Sequence, residues 1–318
     1  MGELHDLVDE IFDPDGGLAP TYAVVVVQAG EVVVERHGGE LPRFDGPGTP
    51  VERETPLLSW SMAKSMLHAA LGMLVGEGRL RVEDRAPVPQ WHGDERVAIT
   101  IEDLLAMRDG LDFVEDYVDF GGSNAIEMLF GAGQDDMAGY AADRPLAAPP
   151  GTRFNYSSGT TNILSGVVAG IVGSGEAYRR FLGERLFGPV GMASATPGLD
   201  GAGTWVASSY VHATARDFAR FGELYLHDGV VGGHRLLPEG WVDHGIRQRS
   251  EDETSDSGYG AHWWRPSEHD GFEARGYEGQ SITVVPAAEL VVVRLGRTPA
   301  ERNPELRAWR AAMVQALA

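Results

Sequence analysis

The sequence predicts an α+β protein in which an antiparallel sheet is flanked by helices and a mainly helical segment is inserted. Short runs rich in β-branched residues occur near both ends of the chain, whereas apolar side chains follow helical spacing through residues 80–200. The runs are residues 22–27, 32–35, 259–264, 272–277, 281–285 and 290–295. Residues 1–78 and 204–318 would therefore share one sheet domain, and residues 79–203 would form a mainly helical domain, with a cleft between the two.

The first elements follow from local patterns. Residues 2–12 have the amphipathic spacing of a helix. The first two strand-like runs flank residues 29–30, Ala-Gly, which predicts a hairpin. Residues 38–56 are rich in Gly and Pro and predict a loop. Residues 61–75 alternate like a buried helix, which would end at residues 76–78, Gly-Glu-Gly.

The remaining elements have similar signals. Residues 100–103, Thr-Ile-Glu-Asp, predict a capping box ahead of a short helix. Residues 214–227 predict another helix, and residues 304–316 predict a closing one. The last two strands would form a hairpin through residues 286–289. Further helices are expected at residues 124–130, 135–142, 160–172 and 176–186.

Composition excludes several classes of function. The formal net charge is −21, which repels phosphate backbones, so we expect no nucleic-acid partner. There is no cysteine, which excludes disulfides, thiolate metal sites and a cysteine nucleophile. The ten histidines include no His-Glu-x-x-His or other short ligand pair, so we expect no metal site.

The N-terminal residues 1–14 are acidic and helix-like, without the basic start and apolar core of a signal peptide. No apolar run approaches the length of a membrane span. The sequence therefore predicts a cytoplasmic protein with no membrane partner. It leaves the oligomeric state open.

The most informative count is among the basic residues. Of the 26 Lys and Arg residues only one is lysine, Lys64. The base composition of a genome explains a preference for arginine codons, but it does not explain the exception. Lysine loses its proton near neutral pH when it is desolvated, whereas arginine does not. Lys64 is therefore a candidate for chemistry that requires a neutral amine.

Lys64 follows Ser61 in a Ser-x-x-Lys motif at the start of a predicted helix. This spacing places the two side chains on one face, one turn apart. A helix N-terminus favours negative charge on the serine or its substrate, and a neutral amine beside a serine can take its proton. With 16 serines in the chain, this spacing arises in about one in twenty random placements. The apolar flanking residues argue against a solvated surface lysine.

Two further segments carry polar groups at turns. Residues 156–158, Tyr-Ser-Ser, lie between a Pro-Gly loop and a predicted helix. Residues 276–280, Gly-Tyr-Glu-Gly-Gln, lead into a strand, and glycines there allow a substrate to approach the backbone closely. Each segment has an ordinary structural explanation when taken alone, as a packed tyrosine and as a turn. There is no Gly-x-Ser-x-Gly motif, which argues against an α/β-hydrolase.

In this order the three motifs resemble those of the serine β-lactamase and penicillin-binding-protein superfamily. The spacing is similar to that of its class C-like branch, which includes family VIII esterases, D-amino-acid peptidases and 6-aminohexanoate-dimer hydrolases. Residues 109–117 and 156–158 look most like the last group. The resemblance covers nearly the whole chain, and it implies a β-lactamase/transpeptidase-like fold with the active site in the cleft between the two predicted domains.

The resemblance also implies roles for individual residues. Ser61 would be the nucleophile, Lys64 its partner, and Tyr156 the residue that passes a proton to the leaving group. The backbone N–H groups of Ser61 and Gln280 would form the oxyanion hole. The expected function is hydrolysis of small esters or linear amides, as in carboxylesterases or 6-aminohexanoate-oligomer hydrolases, without a cofactor. Whether Lys64 or Tyr156 is the general base stays open. The substrate would contact Ser158, Tyr277, Glu278 and Gly279.

Two departures from the family pattern bear on the substrate. Ser158 stands where many relatives have Asn, and Tyr277 stands where the third motif has Lys. The family lysine helps to hold the carboxylate of β-lactams and D-Ala-D-Ala peptides, so these substrates are less expected than esters or linear amides. The alternatives are a β-lactamase or D-amino-acid peptidase and, from another class, a penicillin-recognising binding protein without turnover.

One acidic set, Asp112, Glu115, Asp116 and Asp119, is interpreted as a solvated face. If this set borders the cleft, it would attract an amine-bearing substrate.

Overall fold

The computed structural model describes residues 2–43, 46–117, 121–252 and 257–318. The helices are Gly2–Phe12 (α1), Ala63–Gly76 (α2), Ile101–Leu105 (α3), Asn124–Phe130 (α4), Met137–Ala142 (α5), Ser158–Val172 (α6), Glu176–Leu182 (α7), Gly188–Val190 (α8), Ala215–Leu226 (α9), Trp241–Ile246 (α10) and Asn303–Leu317 (α11). The strands are Thr21–Gln28 (β1), Glu31–His37 (β2), Glu40–Leu41 (β3), Thr49–Pro50 (β4), Leu57–Leu58 (β5), Thr196–Pro197 (β6), Val211–Ala213 (β7), Val230–Val231 (β8), His234–Arg235 (β9), Ser250–Asp252 (β10), Ser257–Tyr259 (β11), Trp264–Arg265 (β12), Phe272–Gly276 (β13), Gln280–Val285 (β14) and Leu290–Gly296 (β15).

One large antiparallel sheet joins the two ends of the chain. In the described part of the chain its strand order is β10-β11-β12-β13-β14-β15-β1-β2. The N-terminal hairpin therefore lies beside the last strand, with Val25 opposite Val293. The predicted α+β class, with a sheet shared by both ends of the chain and flanked by helices, is confirmed.

The sheet lies between two helical layers. This position explains why the sequence of β1 is almost continuously apolar. Alternate side chains of a strand point to opposite faces. Val25 and Val27 belong to the core that contains α2 and α9. Val24 and Val26 belong to a second core that contains α1 and α11. Burial on both faces excludes the apolar–polar alternation of a half-exposed strand.

Residues 79–203 contribute α3 to α8, and within the described residues they add no strand to the large sheet. A small sheet of order β5-β7-β6 connects this segment to the rest, because β6 pairs with β7 and β7 pairs with β5. The division into two domains stays a prediction. Among the described residues, no helix combines the length and apolar character required to cross a membrane.

Most local predictions are confirmed, and the exceptions have tertiary causes. Thr100 and Asp103 form the capping box at the start of α3. The predicted single strand at residues 259–264 is wrong. The strand is interrupted between β11 and β12, where His262 has a φ of 61° and the N–H of Ala261 donates a hydrogen bond to the carbonyl of Gly245 at 2.8 Å. Residues 38–56 contain the short pair β3 and β4 in addition to loop.

Candidate active site

A strained turn between β5 and α2 presents Ser61. The N–H of Ser59 donates to the carbonyl of Val211 at 2.8 Å, and its Oγ donates to the carbonyl of Ser209 at 3.0 Å. Trp60 then adopts a φ of 45°, a left-handed conformation that is strained for an aromatic residue. Ser61 lies on a 3-10 turn directly before α2 and is partly exposed, whereas most of α2 is buried. The strain is therefore located next to the predicted nucleophile.

Lys64 lies one turn further along and is almost completely buried, with 2% of its surface exposed. Its Nζ donates hydrogen bonds to the Oγ of Ser61 at 3.1 Å, to the Oγ of Ser158 at 3.1 Å and to the carbonyl of Ser208 at 3.0 Å. These acceptors are all electrically neutral and match the three donors of an ammonium group. Lys64 is thus buried in hydrogen-bonding contact with the predicted nucleophile, and no carboxylate of the described residues is hydrogen-bonded to its amine.

This environment makes Lys64 titratable near neutral pH. Burial disfavours the charged form and lowers the pKa of Lys64 to about 8, while the charge of Glu115 acts in the opposite direction. A neutral amine is therefore accessible at physiological pH, which an exposed lysine does not provide.

Ser158 links Lys64 to Glu115. Its Oγ donates to Glu115 Oε1 at 2.6 Å, and its N–H donates to Glu115 Oε2 at 2.8 Å. Tyr117 also donates its hydroxyl to Glu115 Oε1, at 2.5 Å. Because Ser158 begins α6, the carboxylate of Glu115 lies at the positive end of a helix. Ser158 itself is fully buried beside Lys64 and is not a wall residue of the cavity that adjoins Ser61. Its contact with a substrate stays a prediction.

The acidic set is therefore not a uniform solvated face. Asp112 is exposed, as expected, whereas Glu115 is bound to Ser158. Asp116 is partly buried, and Asp119 lies outside the described residues. The sequence reasoning missed the position of Glu115.

Tyr156 lies beside the same amine. The Nζ of Lys64 is 4.9 Å from the centre of the Tyr156 ring, which packs against Trp264 with centroids 5.2 Å apart. Burial raises the pKa of the Tyr156 hydroxyl, although a hydrogen bond with Ser61 acts in the opposite direction. Tyr156 is therefore a phenol at neutral pH.

A cavity of about 230 Å³ adjoins Ser61 and Tyr156. Of the predicted site residues, its walls include Ser61, Tyr156, Tyr277, Gly279 and Gln280. A neighbouring cavity of about 530 Å³ shares the side chains of Tyr156 and Trp264. Within the described ranges, no group of three or more His, Asp or Glu side chains is placed to hold a metal ion.

The third motif forms the turn between β13 and β14. Gly279 has a φ of 83°, and a Cβ there would lie 2.4 Å from Leu306 Cδ2, so only glycine fits without rearrangement. The side-chain amide of Gln280 donates to the carbonyls of Gly296 at 2.6 Å and Tyr277 at 2.9 Å. The side-chain amide is thus engaged inside the sheet, while Gln280 also contributes to the cavity wall.

The other two predicted contacts in this motif differ from each other. Tyr277 is 38% exposed and packs against the rings of Trp60 and Tyr117, with centroids 5.5 and 5.0 Å apart. Glu278 instead pairs with Arg297 at 3.1 Å and is absent from the cavity wall. The wall of the cavity that contains Ser61 therefore includes Tyr277 but not Glu278, and their contacts with a substrate stay a prediction.

The sequence reasoning also missed the cations of this cavity. Arg275, Arg307 and Arg310 contribute to its walls. Arg275 had a local signal, since it precedes Tyr277 by two residues, and residues two apart in an extended chain point to the same side. The other two come from α11, and only the fold brings that helix to Ser61.

Comparisons with known proteins give the family and the fold of this chain. A family model described as Beta-lactamase matches residues 8–317. The 6-aminohexanoate-dimer hydrolase of Paenarthrobacter ureafaciens is 27% identical over 311 residues, which cover 91% of this chain and 75% of that protein. The crystal structure of a family VIII carboxylesterase has a TM-score of 0.74 at 16% identity, covering 98% of this chain and 97% of that one. A penicillin-binding protein homologue from Caulobacter crescentus has a TM-score of 0.78 at 18% identity, covering 100% and 97%. The two structural likenesses concern the fold alone.

Proposed function

The chain belongs to the β-lactamase family, and we propose that this serine hydrolase cleaves small esters or linear amides through an acyl-enzyme on Ser61. The observation that carries the proposal is the buried amine of Lys64, 3.1 Å from the Oγ of Ser61 and with a pKa lowered to about 8. The similarity to a protein named 6-aminohexanoate-dimer hydrolase supports amide cleavage, and the likeness to a family VIII carboxylesterase is compatible with ester cleavage.

Acylation begins when Ser61 Oγ attacks the substrate carbonyl and its proton passes to neutral Lys64. We assign the base to Lys64 because burial shifts the two pKa values in opposite directions, lowering that of Lys64 and raising that of Tyr156. The backbone N–H groups of Ser61 and Gln280 would hold the oxyanion. Each such donor contributes on the order of 3 kcal/mol to transition-state stabilisation.

The tetrahedral intermediate collapses when the bond to the leaving group breaks. Tyr156 donates its hydroxyl proton to the departing alcohol or amine, and the proton held by Lys64 then restores Tyr156. A water molecule attacks the ester on Ser61 by the same steps, which releases the carboxylic acid and regenerates the serine. No step requires a cofactor.

The cavity volume supports a small substrate, because about 230 Å³ is below the range of about 300–1,000 Å³ typical of pockets for drug-sized ligands.

The test is turnover of three substrates: 4-nitrophenyl butyrate, the linear 6-aminohexanoate dimer and a chromogenic cephalosporin. We expect steady turnover of the ester or the dimer, and we expect Ser61→Ala to lower kcat by at least about 10³-fold. Ser65→Ala is the matched control. Ser65 lies on the same helix, and its buried hydroxyl donates to the carbonyl of His262 at 2.6 Å. The activity of Ser65→Ala should stay within a few-fold of wild type.

Undiminished turnover in Ser61→Ala would contradict the assignment of the nucleophile. A single equivalent of product with a lasting increase in protein mass would instead identify a binding protein that is acylated without turnover. Preferential turnover of the cephalosporin would favour the β-lactamase alternative.

A further inference from the structure

A buried arginine binds the turn between β13 and β14 and has no part in the proposed hydrolytic steps. We propose that Arg294 is a positioning residue whose guanidinium group fixes the peptide between Gly279 and Gln280, so that the N–H of Gln280 points to the oxyanion. This inference rests on the proposed function of Ser61 and extends it to a residue that does not contact the substrate.

Arg294 is an exception within its own strand. The sequence of β15 is Leu-Val-Val-Val-Arg-Leu-Gly, and every one of these residues is buried. Burial lowers the pKa of Arg294 to about 9, which leaves the guanidinium group charged at neutral pH. Its hydrogen-bond acceptors among the described residues are neutral oxygens. Because an apolar side chain would be buried here at a lower cost, the hydrogen bonds of Arg294 indicate a specific role.

The two terminal nitrogens of this guanidinium group have different partners. Its Nη1 donates to the carbonyls of Glu278 and Gly279, both at 3.2 Å. Its Nη2 donates to the carbonyl of Leu18 at 3.0 Å, to Thr21 Oγ1 at 2.9 Å and to Thr298 Oγ1 at 2.7 Å. One nitrogen thus binds the turn, and the other is anchored to segments outside it.

The turn requires such support because its backbone is strained. Glu278 has a φ of 58° and Gly279 has a φ of 83°. A left-handed conformation is unfavourable for a residue with a side chain, so Glu278 keeps it only where surrounding contacts impose it. The N–H of Thr298 provides a second such contact, since it donates to the carbonyl of Glu278 at 3.0 Å. Arg294 and Thr298 therefore hold the same strained residue.

The hydrogen bond to Gly279 sets the direction of the N–H that follows it. The peptide between Gly279 and Gln280 is trans, so its carbonyl and its N–H point in opposite directions. The carbonyl faces Arg294, which is fully buried, whereas Gly279 and Gln280 are wall residues of the cavity that contains Ser61. The N–H of Gln280 therefore points away from Arg294, as an oxyanion donor requires. A charged donor on the carbonyl also polarises the peptide and strengthens its N–H as a donor.

The test compares a substrate with a stable analogue of the tetrahedral intermediate. The substrate is 4-nitrophenyl butyrate, and the analogue is the trifluoromethyl ketone with the same acyl chain. Ser61 Oγ bonds to the ketone carbon, the carbonyl electron pair moves to the oxygen, and the proton of Ser61 passes to Lys64. The trifluoromethyl group is not expelled, so the adduct carries a lasting oxyanion. Its inhibition constant therefore reports the oxyanion donors, whereas KM reports mainly the uncharged substrate.

The variants are Arg294→Met and Arg294→Lys. Methionine removes the charge and every donor, and lysine keeps the charge but cannot bind the turn and its anchor together with a single nitrogen. We expect Arg294→Met to lower kcat/KM and to raise the inhibition constant, each by about 10- to 100-fold, with KM within about three-fold of wild type. Arg294→Lys should change both constants in the same direction by at least about three-fold, and it decides the test if the methionine variant does not fold.

Asp217→Asn is the control for a loss of stability. Asp217 is buried on α9 outside the cavity wall, and it accepts hydrogen bonds from the N–H of Ser194 at 2.8 Å and from its Oγ at 2.5 Å. This variant should unfold at a lower temperature than wild type, as the Arg294 variants do, but it should keep the wild-type kcat/KM and inhibition constant.

Three results overturn the inference. Wild-type values of both constants in a folded Arg294 variant show that the turn is oriented without the guanidinium group. A rise in KM equal to the rise in the inhibition constant shows that Arg294 affects substrate binding and not the oxyanion. Equal losses in Asp217→Asn attribute the effect to stability alone. Failure of the proposed function is distinguished by Ser61→Ala, which would then hydrolyse the ester as fast as wild type.

Discussion

Lys64 and the arginines of the cavity wall are held by different kinds of acceptor. Among the described residues, the amine of Lys64 donates to three neutral oxygens, and the carboxylate of Glu115 is one hydrogen bond further away through Ser158. By contrast, Arg275 and Arg310 contact the carboxylate of Glu273 directly, and Glu273 is only 1% exposed.

The difference shows in the pKa values. Burial lowers the pKa of Lys64 to about 8, and the more distant Glu115 offsets this only in part. Burial alone would raise the pKa of Glu273, but Arg310 and Arg275 lower it well below its ordinary value. Lys64 is therefore a titratable cation. Arginine stays charged in proteins, so the cations that face Glu273 are fixed. A titratable cation can take a proton in catalysis, whereas a fixed cation is suited to binding an anion.

Lys64→Arg should have the largest effect on activity, because it replaces a titratable cation by one that stays charged. Arginine keeps the hydrogen-bonding capacity but cannot accept the proton of Ser61. We expect kcat/KM for a neutral 4-nitrophenyl ester to fall by about 100- to 10,000-fold, the usual contribution of a general base. Stopped-assay kinetics on the purified variant provide the measurement.

Lys64→Met controls for the size of arginine, since it removes the charge and the base without adding bulk. Thermal unfolding of both variants separates loss of fold from loss of base. If folded Lys64→Arg retained more than about a tenth of wild-type activity, Lys64 would not be the general base.

Glu273→Gln tests the fixed side of the comparison. The amide removes the charge that Arg275 and Arg310 share, so the buried Arg310 and the partly buried Arg275 lose their common partner. We expect the free energy of unfolding to fall by about 3–5 kcal/mol, as when one member of a buried ion pair is removed. Urea denaturation followed by circular dichroism provides the measurement.

Glu268→Gln is the matched control for that variant. Glu268 pairs with Arg307 at 3.4 Å but is 28% exposed, so its loss should lower the unfolding free energy by about 1 kcal/mol or less. Equal losses in the two variants would show that direct burial of the Glu273 network does not stabilise this side of the cavity.

The fold was predictable from sequence where the signal is local. The apolar runs of β1, β14 and β15 and the Thr100 capping box are short-range patterns, and the structure contains them as expected. The interruption between β11 and β12 was not predictable, because it depends on a hydrogen bond from Ala261 to Gly245 in another part of the chain.

In the candidate active site, too, the local contacts were predictable from sequence and the long-range contacts were not. Ser61 and Lys64 are three residues apart on one turn, so their contact follows from helix geometry and from the single lysine in the composition. The contact between Glu115 and Ser158 joins residues 43 positions apart, and no local pattern distinguishes Glu115 from its exposed neighbour Asp112. Long-range placement by the fold decides which charges surround the nucleophile.

Glu115→Gln tests whether Glu115 sets the pKa of Lys64, and its expected effect is the smallest of the three. Only unprotonated Lys64 accepts the proton of Ser61, so kcat/KM for a neutral ester should rise with pH through an apparent pKa near 8. The charge of Glu115 raises the pKa of Lys64 and thereby opposes the effect of burial. Removing that charge should lower this pKa and move the midpoint of the pH profile to lower pH.

Asp112→Asn is the control for this shift, since Asp112 is exposed and belongs to the same segment. It removes an equal charge, but solvent screens its field, so its midpoint should move less. The side-chain amide introduced by Glu115→Gln can accept only one of the two hydrogen bonds that Ser158 donates to the native carboxylate, and this affects stability more than the position of the midpoint. A midpoint that stays in place or moves to higher pH in Glu115→Gln would show that Glu115 does not set the titration of Lys64. The contrast between an indirectly and a directly paired cation would then no longer explain how Lys64 differs from the arginines of the cavity wall.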